Sequence, residues 1–192
     1  MSRRASVERK TKETQIIIGV DLDRAPQGRI TTGLPFFDHM LAAMAFHGGF
    51  DLSVNGTGDL DVDPHHLVED CGIVLGRCLE TVFREGGSIR RFGHAVIPMD
   101  EALAEATIDV CGRPTLIYRA ALPQSHAGSF PLWLLREFFA GLSMGAQCAL
   151  HLECRYGENA HHMAEALFKA LGKAMGAAYA SADDEMSTKG TI

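Results

Sequence analysis

The chain writes one helix-opening signature twice. DPHHLVED (residues 63–70) and ENAHHMAEA (residues 158–166) each place two adjacent histidines two residues after a helix-capping side chain, Asp63 in one and Asn159 in the other. From His65, Glu69 lies four residues on and Leu75–Gly76 begins ten on; from His161, Glu165 lies four on and Leu171–Gly172 begins ten on. The correspondence extends upstream. His39 precedes Val54 by fifteen residues and Glu137 precedes Leu152 by fifteen, and both endpoints fall in strand-like segments. Agreement at cap, helix, strand and histidine pair together argues for internal duplication. A chain of 192 residues has room for two such copies sharing a core.

The segments between these landmarks alternate strands and helices. TQIIIGVDL (residues 14–22) is rich in β-branched residues and reads as a strand. LPFFDHMLAAMAFHGG reads as a helix, with Pro35 in the first turn and Gly48–Gly49 as the stop. FDLSV is a short strand, and the following NGTGDLDVD reads as turn. The next helix takes Asp63 as its cap, Pro64 as its first residue, and ends before Gly86–Gly87. In the second half HAVIPM, ALAEATIDV and PTLIYRAAL read as strands, PLWLLREFFAGLSM as a helix stopping near Gly145, CALHLECRY as a strand, and the stretch after Asn159 as a helix to about Ala180. The expected fold is α/β (α+β): a duplicated two-layer sandwich of two similar units side by side, each a sheet with helices on one face. The halves span about residues 5–86 and 87–192, and the polar tail 181–192 reads as loop.

Charge and cysteine usage narrow the function classes. The formal net charge is −6, from 24 acidic and 18 basic residues, which disfavours nonspecific nucleic-acid binding. The basic run Arg3, Arg4, Arg9, Lys10, Lys12 reads as a solvated tail and edge strand. Five scattered cysteines with no C-x-x-C pair read as small buried hydrophobes of a reducing cytoplasm. No apolar run approaches a membrane span, and no apolar segment follows the N-terminal arginines as in a secretory signal.

The duplicated motif carries metal chemistry. On a helix, residues four apart share a face, so His65 and Glu69 converge, while His66 points about 100° away. One such motif sends His65 and Glu69 toward one ion and His66 toward another. His161, Glu165 and His162 repeat the arrangement. Two helices related by a pseudo-two-fold axis then make two sites, each with ligands from both. Imidazole and carboxylate donors suit Mn²⁺, Fe²⁺, Co²⁺ or Zn²⁺, and the lack of nearby thiolates argues against a structural zinc. His39 and Glu137, at corresponding places in the two units, are candidate additional ligands, with Asp38 as an acceptor that orients His39. His47, His94, His126 and His151 read as structural or surface residues.

Lys169 continues the stripe of His161 and Glu165. A cation there calls for an anion beside it, which points to an anionic, phosphorylated substrate. Arg91, Arg113, Ser187 and Lys189 are further candidate phosphate contacts, each of a type also common on surfaces. No P-loop and no G-x-G-x-x-G occurs, so a nucleotide phosphate cradle is not indicated.

TGLPFFDHML, DPHHLVED, VIPMDEAL, CGRP, GENAHHMAEALFKA and STKG together resemble the imidazoleglycerol-phosphate dehydratase family of histidine biosynthesis, from about Glu13 to Lys189. The resemblance implies four-stranded mixed sheets with helices on one face, and a 24-subunit homo-oligomer with active sites and manganese between subunits. It implies a hydro-lyase that converts imidazole glycerol phosphate to imidazole acetol phosphate. It places His39, His65, His66, Glu69, His161, His162 and Glu165 on metal-ligand positions, with two Mn²⁺ per active site. Glu13 falls on the proton-transfer glutamate, and Arg91, Arg113, Lys169, Ser187 and Lys189 fall on phosphate-binding positions. The chemistry gives a reason for two metals. The hydrogen to be lost is not acidic, and a ring held by a cation at each nitrogen can take up electron density as an imidazolate while hydroxide leaves. The chain departs from the family at REFF, where relatives often read EHFF. Glu137 therefore stands in place of a histidine; either it binds the ion as a carboxylate, or water or nothing replaces it.

Two other readings use the same ligands. A dimetal hydrolase of a phosphorylated substrate predicts release of inorganic phosphate. A metal-stapled assembly protein predicts loss of assembly on chelation and no selectivity for phosphate esters.

Overall fold

The computed structural model describes residues 3–182. The first half is built from β1 (Arg4–Lys10), β2 (Thr14–Asp21), β3 (Ile30–Thr31), α1 (Pro35–Gly48), β4 (Asp51–Gly58) and α2 (His65–Glu85). The second contains β5 (Phe92–Met99), β6 (Ala102–Asp109), β7 (Thr115–Arg119), the small hairpin β8 (His126–Ala127) and β9 (Phe130–Pro131), α3 (Leu134–Ala146), β10 (Ala149–Tyr156) and α4 (Ala160–Ala178). Each half forms a four-stranded mixed sheet, in the orders β1-β2-β4-β3 and β5-β6-β10-β7. In each, the fourth strand runs parallel to its neighbour, and a helix makes the crossover that parallel pairing requires. The expected duplication is present in the strand order of the two four-stranded sheets, and among the described residues the β8–β9 hairpin belongs to the second half alone.

Alternation dictates which face of each sheet is covered. β2 buries Thr14, Ile16, Ile18 and Val20 and turns Gln15 and Ile17 outward; β6 buries Ala102, Ala104, Ala106 and Ile108. The helices cover those buried faces. β4 continues through Asn55–Gly58, residues whose composition reads as turn. Its antiparallel register with β2 runs unbroken from Thr14↔Gly58 to Asp21↔Asp51, and that ladder overrides the low strand preference of Asn and Gly. α2 begins at His65, one residue later than expected, and Asp63 Oδ1 accepts the His65 N–H at 2.7 Å.

The halves meet through their helices: α2 packs along α3, and α1 along α4. The molecule is therefore layered sheet, helices, helices, sheet, with Phe37, Phe138, Phe139 and Phe168 fully buried where the halves join. Small residues set the approach. A Cβ on Gly76 of α2 would lie 2.5 Å from Ala146 N and 2.6 Å from Leu142 O of α3; its counterpart Gly172 in α4 sits directly against Met44 O of α1. Both helix pairs run parallel, so their N-termini lie side by side. Cys71, Cys78, Cys111 and Cys148 are buried and Cys154 half-buried, all as free thiols. No described helix is long and apolar enough to cross a membrane.

Candidate metal centre

Where α1 and α4 start together, three side chains from opposite halves converge. His39 Nε2 and His161 Nε2 each lie 3.3 Å from Glu165 Oε2, and one ligand atom from each of the three residues falls within 4.8 Å of the others. His161 and Glu165 share a face of α4, as the four-residue spacing requires. His39 reaches them because α1 runs parallel to α4 at glycine-permitted distance. The site is half-open: Glu165 is 8% exposed, whereas the two imidazoles are solvent-accessible. Lys169 Nζ lies 2.8 Å from Glu165 Oε1. Burial opposes charge on Glu165, but Lys169 and then His39 outweigh it and hold the carboxyl below its ordinary range. Two imidazole nitrogens and an ionised carboxylate, at the positive ends of two helices and open on one side, form a donor set fit for a first-row divalent cation. This is the one such cluster among the described residues.

Asp38 does not orient His39. Its Oδ1 accepts from Thr32 N at 3.0 Å and from Thr32 Oγ1 at 2.6 Å, which ties the loop after β3 to α1.

The corresponding position at α2 and α3 is arranged differently. The His65 ring stacks on Trp133, 5.8 Å between centroids at 24°, and Glu137 pairs with its neighbour Arg136 at 3.5 Å. Glu69 is half-buried one turn further along α2. Within one chain the histidine doublets of α2 and α4 do not share a site, because each doublet helix packs against the short helix of the other half.

The second histidine of each doublet is held by a carboxylate. His66 Nδ1 lies 3.1 Å from Asp59 Oδ2, with Glu13 Oε2 3.9 Å away; His162 Nδ1 lies 2.7 Å from Glu101 Oε2. These anions raise the titration range of both imidazoles, the hydrogen bond that His66 donates to Asp59 dominating for the one and that from His162 to Glu101 for the other. Glu101 in turn is held down to about 2, by His162 first and then by the Asn159 backbone N–H. Neither Asp59 nor Glu101 stands out in the sequence as a site residue. The available signal is positional: Glu13 and Glu101 each immediately precede the equivalent strands β2 and β6.

The candidate phosphate contacts are dispersed. Arg91 grips Asp109 with Nε to Oδ1 at 2.7 Å, and Arg113 donates to Cys111 O at 3.3 Å. Both lie where β6 ends, whereas Glu101 and His162 lie where it begins. Eight strand residues, about 25 Å at roughly 3.3 Å each, separate the two ends. Ser187 and Lys189 fall outside the described residues.

A family model described as imidazoleglycerol-phosphate dehydratase matches residues 32–175. The chain is 46% identical to the imidazoleglycerol-phosphate dehydratase of Geobacter metallireducens, covering all of both sequences. Among solved structures, the Pyrococcus furiosus enzyme in complex with (S)-C348 superimposes with a TM-score of 0.87 at 39% identity, covering 97% of this chain and 100% of that one. The Staphylococcus aureus imidazoleglycerol-phosphate dehydratase gives 0.84 at 35% identity, covering 93% and 99%.

Proposed function

The chain belongs to the imidazoleglycerol-phosphate dehydratase family, hydro-lyases of histidine biosynthesis, and from that premise we propose that it dehydrates imidazole glycerol phosphate to imidazole acetol phosphate in the cytoplasm with two Mn²⁺ per active site. The observation that carries the metal dependence is the convergence of His39, His161 and Glu165 from opposite halves of the fold. His66 and His162 present further imidazoles, and His65, Glu69 and Glu137 complete the candidate ligand set. When bound, the cations supply Lewis acidity at the two ring nitrogens, so that the ring can accept electron density as the carbon–oxygen bond breaks.

The chain's own groups do the rest. Glu13, exposed on the turn between β1 and β2, takes the proton from the unactivated carbon. The hydroxide departs as the carbon–oxygen bond breaks, the proton removed from carbon and that hydroxide together make up the water lost, and the resulting enol tautomerises to the ketone. Lys169, Arg91, Arg113, Ser187 and Lys189 bind the phosphate and set the distance between it and the ring. Lys169 has to exchange its ion pair with Glu165 for that role, which metal binding at Glu165 makes easier.

The wide separation of the two arginines from the cluster supports active sites shared between subunits of a homo-oligomer, which we propose to be the 24-subunit particle. The test is turnover of imidazole glycerol phosphate with added Mn²⁺, following the ketone product and inorganic phosphate together. Ketone without phosphate is expected, abolished by a chelator and by His162→Ala. Phosphate release, or no turnover by metal-loaded protein, overturns the reading.

A further inference from the structure

Glu13 and Glu101 occupy the same place in the two halves. Each is the last residue before an eight-residue strand, β2 or β6, that buries alternate side chains against its own doublet helix. Their surroundings differ. Glu13 is exposed, and its carboxylate stands 3.9 Å from the nearest imidazole. Glu101 is fully engaged: Oε1 accepts from Asn159 N at 2.8 Å and Glu158 N at 3.2 Å, and Oε2 lies 2.7 Å from His162 Nδ1. It joins the turn between β5 and β6 to the start of α4.

An ionised carboxylate can only accept hydrogen bonds, so His162 must carry its proton on Nδ1 to make this contact. In the neutral ring Nε2 is then left with a lone pair, 3.6 Å from the exposed Asp100 carboxylate. On the other half, Asp59 does the same for His66 Nδ1. Different carboxylates, reached from different loops, thus impose one tautomer on the same histidine of both doublets.

We propose that Glu101 is a positioning residue: its carboxylate, anchored on the α4 N-terminus, locks His162 in the Nδ1–H tautomer and orientation that offers Nε2 to a divalent cation, as Asp59 does for His66. At the equivalent place in the other half, Glu13 makes no such hydrogen bond to an imidazole and stands 3.9 Å from His66 Nδ1, so Asp59 takes the orienting part there. This rests on the metal-dependent reading above.

The experiment is a double-mutant cycle read by Mn²⁺ binding, with free ion counted by its electron paramagnetic resonance signal. Glu101→Gln keeps an oxygen for the Asn159 and Glu158 N–H groups but then sets an NH₂ donor, in place of an acceptor, against the imidazole Nδ1. It is expected to weaken Mn²⁺ binding by about 10–100-fold, the usual effect of removing an orienting partner of a ligand, while Glu13→Gln stays within about threefold. In a His162→Gln background, Glu101→Gln should add nothing, because its effect passes through that ring. Binding by Glu101→Gln within about threefold of the parent, or an equal loss in both backgrounds, overturns the proposal. If Glu101→Gln does not fold, the Asp59→Asn and His66→Gln cycle replaces it: a loss that disappears in the His66→Gln background supports the proposal, and an equal loss in both overturns it. A parent protein that binds no Mn²⁺ sinks the functional reading instead, so the two failures are distinguishable.

Discussion

The Glu101–His162 contact makes the metal-free protein's stability depend on pH from both sides. Glu101 titrates near 2 when folded, against 4.5 for a free glutamate, so its contribution is complete above about 4.5 and lost as pH falls through about 2. His162 is raised above its free value of 6.5, so its contribution is complete below 6.5 and lost as pH rises through the raised value. The difference in melting temperature between the parent and Glu101→Gln should be largest between pH 4.5 and 6.5 and shrink on either side. It need not vanish at high pH, because the two backbone N–H groups still bind the carboxylate. A difference that falls on the acid side but not on the alkaline side would mean that Glu101 contributes only through the backbone. The same raised titration means that protons compete for His162 and His66 at higher pH than for a free histidine. On the proposed metal-dependent reading, Mn²⁺ occupancy should fall on acidification, and the Asp59→Asn and Glu101→Gln variants should hold the ion to a lower pH relative to their own affinity than the parent does.

At the level of elements, the site depends on which helix packs against which. His39 meets His161 and Glu165 because α1 lies directly on α4, and that approach is possible only where Gly172 presents no side chain to Met44 O. Gly76 does the same for α2 against α3. Gly76→Ala should improve intrinsic helix propensity by about 1 kcal/mol, yet force apart backbones that would sit 2.5–2.6 Å from the new methyl. Overpacking costs typically about 1–3 kcal/mol, so a net loss of stability is expected, seen as a lower urea midpoint at fixed protein concentration. A rise in the midpoint would show that the helix pair can separate without cost. The equivalent change at Gly172 carries a second readout, since moving α1 off α4 draws His39 away from Glu165 and should weaken Mn²⁺ binding as well.

At the scale of the whole molecule, one chain assembles a three-ligand cluster at one helix pair, leaves His65 stacked on an exposed Trp133 at the other, and keeps Arg91 and Arg113 a strand's length away. Such dispersal is what the proposed sharing of active sites between copies of the chain would produce. On that proposal, a chelator should reduce the mass of the proposed homo-oligomer in size-exclusion chromatography with light scattering, and Mn²⁺ should restore it. A mass unchanged after the metal is stripped would mean that protein contacts alone hold the assembly.

Along the chain, the repeat already specified much: two equivalent units, the paired histidines at helix starts, and the four-residue partner on the same face. These are consequences of local geometry, of 3.6 residues per turn and strand alternation, which depend on near neighbours in sequence. The resemblance of six segments to a known family named the chemistry. What no spacing could supply was the pairing across halves. His39 is 126 residues from Glu165, and Glu101 is 61 from His162. Which of these meet is decided by the close approach of α1 to α4 and by the turn that carries Glu101 to the start of α4. Those contacts exist only after the two sheets have buried their helices against one another, so only the tertiary structure could select them.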